Sequence, residues 1–434
     1  MGSKKFTEYD MRDDFEFQVY VTDELSSFKK DDETKILYVD QVKQFPGVIK
    51  KEGDIIILEL STDLMKPESK NKSILSDNDE VYNEKDFSTL YATTWDGKMQ
   101  FIIADYFFIA KHNSISFNSV SYGGITKYQV TNFSIASQFI LQDKVYQVSF
   151  YLDYIHEWFS LYGPMMTREE LNQKLIIFEN MVYCDVSFSL QIDGYTEESS
   201  NRNEVLFSAQ SSIIVKFQSP QTKDFVLDLA VQLRNFFHFL LNKKVGLYKI
   251  LLNKDVSWNG KDWRPEDYRE NWFVSQSFLP DEIKDKSLRF YINYSTIKND
   301  FENILKNFFQ KEKLQNFISL YLAISQYQIP VIPAFLTLSS GVESYLNGSK
   351  FLNRKPVKDF SNKLNMIFNG SWNTEEETVH CIKTIKDNRD FYVHGDKIEK
   401  KLSEIELVPT LFEFQNAIRN YLKKELGIDI TSSS

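Results

Sequence analysis

The sequence predicts an α+β multidomain chain: a β-rich N-terminal module, sandwich-like and built in one or two lobes, followed by an all-α helical bundle. Three observations carry this reading. With 434 residues, 42% of them hydrophobic, the chain can bury more than one core. Up to about residue 220, short runs rich in Val, Ile, Tyr, Phe and Thr alternate with Gly, Asn, Asp and Ser, the signature of strands and turns. From about residue 291, apolar residues recur every third or fourth position, which is the helical period.

Taken in order, GVIKKEGDIIILEL (47 to 60) breaks at Glu52-Gly53-Asp54 as a hairpin would, and SFNSVSYGGITKYQV (116 to 130) is expected to turn at Gly123-Gly124. KVYQVSFYL and EVLFSAQSSIIVKF continue the pattern past residue 200, so an antiparallel sandwich or barrel is expected. One helix interrupts it at about 222–242, with Phe225, Leu229, Leu233, Phe236 and Leu240 at helical spacing and Asn242 at the C-terminal cap. Trp258 to Tyr268 reads as an irregular connection around Pro265.

The helical domain is expected over 291–427. STIKNDFENILKNFF and LQNFISLYLAISQY open it. IPAFLTLSSGVESYLNG follows, with Pro333 in a first turn and a stop at Asn347-Gly348. After a polar loop, GSKFLNRKPVKD, a helix begins at a Thr374–Glu377 capping box, and a last helix spans roughly Pro409 to Leu426. Residues 428–434, ending in TSSS, are expected to be a disordered tail.

Charge divides along the same line. Residues 291–434 carry 18 Lys+Arg against 17 Asp+Glu, so a total of -10 leaves the first 290 residues at -11. An acidic module of that kind suits a protein ligand with a basic face rather than nucleic acid. No run of eighteen apolar residues and no signal-peptide pattern appears, and MGSKKF lacks the Ser or Thr needed for myristoylation, so a cytoplasmic protein without membrane attachment is expected. Cys184 and Cys381 form no paired motif, which excludes a disulfide framework and a structural zinc site; no metal and no cofactor is expected. HExxH, Gly-rich phosphate-loop and nucleophile-elbow patterns are absent, which removes metalloprotease, nucleotide triphosphatase and serine hydrolase readings.

The decapeptide DNRDFYVHGD, residues 387 to 396, remains as the candidate for chemistry. On a helix continuing from Thr374, Ile382, Ile385 or Lys386, Arg389 and Val393 share one stripe, so an arginine emerges from the core-facing side. Such a guanidinium requires an anion, and its planar fork suits phosphate. An unbroken helix would set His394 roughly 140° away from Arg389. Gly395 permits a left-handed cap, which lets the ring swing toward the arginine, and a helix C-terminus favours a cationic imidazole able to donate a proton. Glu343, at the margin of the Phe335, Leu338, Val342 and Tyr345 stripe, could pair with Arg389. Arg234 and His238 in LRNFFHF are read as packing residues among Phe236, Phe237 and Phe239.

Arg389-Asp390-Phe391-Tyr392-Val393-His394 resembles the R-x(4-6)-H motif of HEPN domains, helical bundles found in many bacterial defence and toxin ribonucleases. The order β-rich module with LDYIHEWF, helix-and-strand unit DFVLDLAVQLRNFFHFLLNKKVGLYKI, then HEPN domain is similar to ApeA-type anti-phage proteins over nearly the whole chain. The abundance of Lys, Asn, Ile, Phe and Tyr fits AT-rich bacterial coding.

The resemblance implies metal-independent cleavage of RNA, with tRNA loops as the expected substrate, by attack of the ribose 2′-hydroxyl. Arg389 and His394 are the implied catalytic pair, Asp390 and Glu343 the supporting residues, and a homodimer or higher homo-oligomer the assembly that supplies a second histidine. The N-terminal module, residues 1–290, would sense a phage component, an abortive-infection arrangement. Two other classes stay open: a non-catalytic HEPN protein that binds a nucleotide, RNA or partner through the same residues, and a carbohydrate-binding β module with a helical dimerisation appendage.

Overall fold

A computed structural model describes residues 4–29, 35–61, 89–115, 122–140, 143–161, 174–201, 204–254, 269–276, 279–280, 289–327, 329–347, 359–369, 375–395 and 401–428. After a 3-10 turn at Phe6–Glu8, the strands are β1 (Phe15–Thr22), β2 (Ser26–Lys29), β3 (Lys35–Tyr38), β4 (Phe45–Glu52), β5 (Ile55–Leu60), β6 (Leu90–Thr94), β7 (Gln100–Ile115), β8 (Tyr122–Ala136), β9 (Val145–Leu152), β10 (Lys174–Tyr183), β11 (Val186–Asn201), β12 (Glu204–Gln221), β13 (Leu247–Asn253) and β14 (Arg269–Val274). The helices are α1 (Ile155–Trp158), α2 (Lys223–Leu241), α3 (Tyr294–Ile297), α4 (Phe301–Gln310), α5 (Glu312–Gln326), α6 (Val331–Tyr345), α7 (Phe360–Phe368), α8 (Glu375–His394) and α9 (Glu404–Leu426).

Two compact units interleave along the chain where the sequence suggests one cut near 291. The first comprises Met1–Asp153, Ser212–Val226 and Gly246–Lys284; the second comprises Tyr154–Ser211, Leu227–Val245 and Asp285–Ser434. Most of α2 and the β10–β11 hairpin therefore belong with the helices. Aromatic packing explains this, as shown below.

The first unit is antiparallel throughout. β1 lies between β4 and β6, β4 pairs with β5, β5 with β8, and β6 with β7; β7 and β8 then pair, closing a six-stranded ring. The ring is the barrel alternative for this segment. The edge of β8 that serves β5 through Thr126–Gln129 serves β14 through Asn132–Ala136, and β13, β9 and the second part of β12 extend from there. Alternation buries Val19, Val21, Ile49, Leu58, Leu60, Phe101, Ile103, Phe133 and Ile135. Phe133 stacks on Phe273 at 4.7 Å between centroids, a contact that adds about 0.5–1.5 kcal/mol beyond its buried area.

Two turn expectations meet different outcomes. Gly53, at φ +57°, closes the β4–β5 hairpin as the sequence implies. Gly123 and Gly124 do not turn: they pair with Ser114 and Asn113 inside the β7–β8 ladder. Ladder hydrogen bonds override the local preference of the glycine pair.

The second unit is built on rings. The β10–β11 hairpin turns through Cys184 and Asp185, both left-handed at φ 45° and 61°, as a two-residue primed turn requires. Its Phe178 packs 5.3 Å from Phe301 and its Phe188 5.7 Å from Phe309, while Phe236 of α2 lies 5.0 Å from Phe308. The indole of Trp158 donates to Ile292 O at 2.7 Å. Strand and helix thus share one aromatic core that binary patterning cannot assign.

Beyond this core, α6 packs on α5 and α9, and α7 lies against α8 and α9. Gly341 makes the first contact possible, since a Cβ there would sit 2.8 Å from the Phe317 ring. α9 starts at Glu404, five residues before the expected Pro409, because Ser403 and Glu406 form a capping box. Ile428, assigned by sequence to the tail, is buried and its N–H bonds Lys423 O at 2.9 Å. The rest of that tail, the Trp258–Tyr268 connection, the Thr374 cap and nearly all of the 348–359 loop lie outside the described residues.

Candidate active site

Helix α8 presents the decapeptide. Glu375, Glu376 and Glu377 occupy its first turn, where carboxylates favour the positive end of the helix dipole. Cys381, Ile382, Ile385 and Asn388 form its buried face. The expected continuation of that face to Val393 fails, since Val393 is half exposed. Gly395, at φ +71°, ends the helix, and its N–H bonds Phe391 O at 2.8 Å.

Arg389 is held from three helices. Its Nη2 donates to Glu343 Oε2 of α6 at 2.6 Å, its Nη1 to Asp390 Oδ1 at 2.7 Å, and its guanidinium lies 5.2 Å from the Phe360 ring centroid of α7. The side chain keeps only 15% of its surface. Burial alone would lower its pKa, but the hydrogen bonds to Asp390 and Glu343 and the charges of both carboxylates hold it above the ordinary arginine value. A buried Lys363 Nζ, 3.1 Å from Glu343 O, braces α6 against α7 at this point.

His394 is exposed, and its Nε2 lies 3.4 Å from Arg389 Nη1, at the long limit of a hydrogen bond. A guanidinium can only donate, so this contact needs a bare Nε2 and leaves the proton of a neutral ring on Nδ1. All four residues singled out in the sequence, Arg389, His394, Asp390 and Glu343, therefore meet in one cluster, open to solvent on the histidine side.

Residues that position the cluster escaped the sequence reading. Asn388, fully buried, accepts from Leu402 N–H at 3.0 Å and donates to Thr384 O at 2.9 Å; Tyr392 OH donates to Leu402 O at 2.7 Å. Together they dock the start of α9 beside the end of α8. A polar residue three positions past Ile385 on the apolar stripe was the available signal. No group of three or more His, Cys, Asp and Glu among the described residues is placed to hold a metal ion.

Residues 28–308 match the family model described as ApeA N-terminal domain 1, and residues 336–431 match that of Apea-like HEPN. The chain belongs to the ApeA family. Comparison with curated proteins and with solved structures finds no match. The second model begins within α6 and contains Glu343, Arg389, Asp390 and His394, so the cluster of this ApeA-type chain lies wholly inside its HEPN domain. It is a HEPN-type defence effector. Among the described residues, no helix of this ApeA-type chain is long and apolar enough to cross a membrane.

Proposed function

We propose that the cluster cleaves RNA without a metal, tRNA loops being the intended substrate, when the acidic N-terminal module binds a phage component. The observation that carries this reading is the approach of a solvent-facing imidazole to a rigidly held guanidinium at a helix terminus. The 2′-oxygen of a ribose attacks the adjacent phosphorus, a base removes its proton, the bond to the 5′-oxygen breaks, and an acid protonates that oxygen. Arg389 stabilises the charge that grows on the phosphorane oxygens, and an imidazole suits either proton transfer. Exposed loops present both ribose and phosphate to such a site.

One His394 cannot act as base and acid in the same step, so a second copy completes the site. An apolar stripe supports this: Ile405 is 83% exposed and Phe412 64%, with Val408 between them on α9 and Val393 beside His394 on α8. The Asn388 and Tyr392 bonds to Leu402 hold that stripe next to the cluster.

Arg389 already holds two carboxylates, and this feature favours a second reading in which the site binds a nucleotide or partner without chemistry. Incubating the purified protein with total tRNA in EDTA, beside His394→Ala, separates the two. Cleavage by the unaltered protein alone supports the nuclease; RNA left intact by both, with the phage trigger present, supports the binder.

A further inference from the structure

One guanidinium facing two carboxylates does not by itself draw RNA. Glu343 and Asp390, at 2.6 and 2.7 Å, bring two negative charges to the single positive charge of Arg389. The buried Lys363 beside them restores the balance only to zero. A polyanion calls for further positive charge on the open, histidine side of the cluster. The Arg234–His238 pair of α2 is committed to packing instead. His238 is buried, its Nδ1 lies 3.1 Å from Gln326 Nε2, and burial first, then repulsion from Arg234, Lys244 and Arg419, pushes its pKa down to about 4.

The α8–α9 clamp delivers a cation to the open side. Both backbone groups of Leu402 are held by α8 side chains: its N–H donates to Asn388 Oδ1 at 3.0 Å, and its carbonyl accepts from Tyr392 OH at 2.7 Å. The residue before it, Lys401, is thereby fixed at the end of α8. Its Nζ lies 4.5 Å from the centroid of the Phe391 ring and 5.8 Å from that of Tyr392. Phe391 precedes His394 by three residues, which on α8 sets the two side chains on one face, about 5–6 Å apart at Cβ. The ammonium thus rests over a ring that neighbours the exposed imidazole.

Lys401 is itself exposed, and among the described residues it enters no ion pair, so its N–H donors are open to an anion. An exposed cation–π contact stabilises by about 0.5–1 kcal/mol, which favours one location for a flexible side chain without consuming its hydrogen bonds. A lysine is a point charge with no planar fork, and contacts of that kind position a nucleic-acid backbone without reading its bases.

We propose that Lys401, held over Phe391, binds a second backbone phosphate of the RNA, beside the one on which Arg389 and His394 act. This inference rests on the nuclease reading for its substrate, and Lys401 is a positioning residue in it.

Titration of a fluorescent ten-nucleotide RNA with the His394→Ala protein between 50 and 200 mM salt tests the contact without cleavage. Each phosphate contact to a single strand contributes about -0.7 to the slope of log K against log salt, so Lys401→Gln in that background should make the slope shallower by about this amount. The loss of affinity should be alike for purine-rich and pyrimidine-rich strands, and Lys401→Arg should restore both slope and affinity. With His394 present, Lys401→Gln should raise KM for tRNA severalfold and leave kcat within about twofold. An unchanged slope, an equal loss in Lys401→Arg, or no measurable RNA binding overturns the contact. Cleavage separates this outcome from the fate of the nuclease reading. A slope that depends on Lys401 in a protein that leaves tRNA intact, with the phage trigger present, keeps the contact and removes the chemistry. Cleavage with a slope unmoved by Lys401→Gln keeps the chemistry and removes the contact.

Discussion

Two arginine–histidine pairs sit on helices of the same unit, and almost everything about them differs except the residue types. Arg389 is gripped by Glu343 and Asp390 beside an exposed His394, whereas among the described residues no carboxylate pairs with Arg234, and its His238 keeps 3% of its surface. Position on the helix decides the outcome. His394 occupies the last residue of α8, where Gly395 releases the chain, so its ring can turn back toward the arginine. His238 sits before the end of α2, among Phe236, Phe237 and Phe239, and is committed to packing. A terminal histidine is available for chemistry, and an internal one for structure and field.

The largest effect that can break this contrast is expected at His394. Replacing it with alanine should lower RNA cleavage about 10²- to 10⁴-fold with the Tm nearly unchanged, since the side chain is exposed. His238→Ala should do the reverse, lowering the Tm while each folded molecule retains its cleavage rate.

The His238 pair also leaves a signature in pH. A histidine with a folded pKa of about 4 and an unfolded value near 6.5 is neutral in the native chain and protonated in the unfolded one between those values. The unfolded state then binds the extra proton, so stability falls as pH drops through that window, by about 3 kcal/mol in all. Denaturant unfolding at pH 7, 6, 5 and 4 should show that loss, and His238→Gln should flatten it.

A smaller effect sharpens the role of the α8–α9 clamp. Asn388→Ala leaves Leu402 N–H without its acceptor and should cost about 1–2 kcal/mol in denaturant unfolding. Cleavage should fall further than the folded fraction does, because the start of α9 carries the exposed stripe. Smallest is Gly395→Ala, at about 1 kcal/mol: nothing lies within 4 Å of the added Cβ, so only the left-handed backbone resists it.

Much of this was legible in residues alone. The 3.6-residue period located α2, α4, α5, α6, α8 and α9 but not α7, and the glycine after His394 marked the end of α8 and the meeting of its ring with Arg389. Other features depend on contacts between segments far apart in sequence. The β10–β11 strands look like any others, yet Phe178 and Phe188 bury against α4, which places the hairpin with the helices. Asn388 is a polar residue whose value lies in Leu402, fourteen positions on. Arg234 reads as an ordinary helical residue, and only in three dimensions does its Nε prove buried without a hydrogen-bond partner.

The chemistry of the RNA ends tests the central claim most directly. Sequencing of both termini from RNA cut by the activated protein in EDTA should find 2′,3′-cyclic phosphates and 5′-hydroxyls, and about 10²- to 10⁴-fold fewer of these ends with His394→Ala. Fragments ending in 3′-hydroxyl and 5′-phosphate, or the same ends in equal yield from the alanine protein, would contradict a transesterification run by Arg389 and His394.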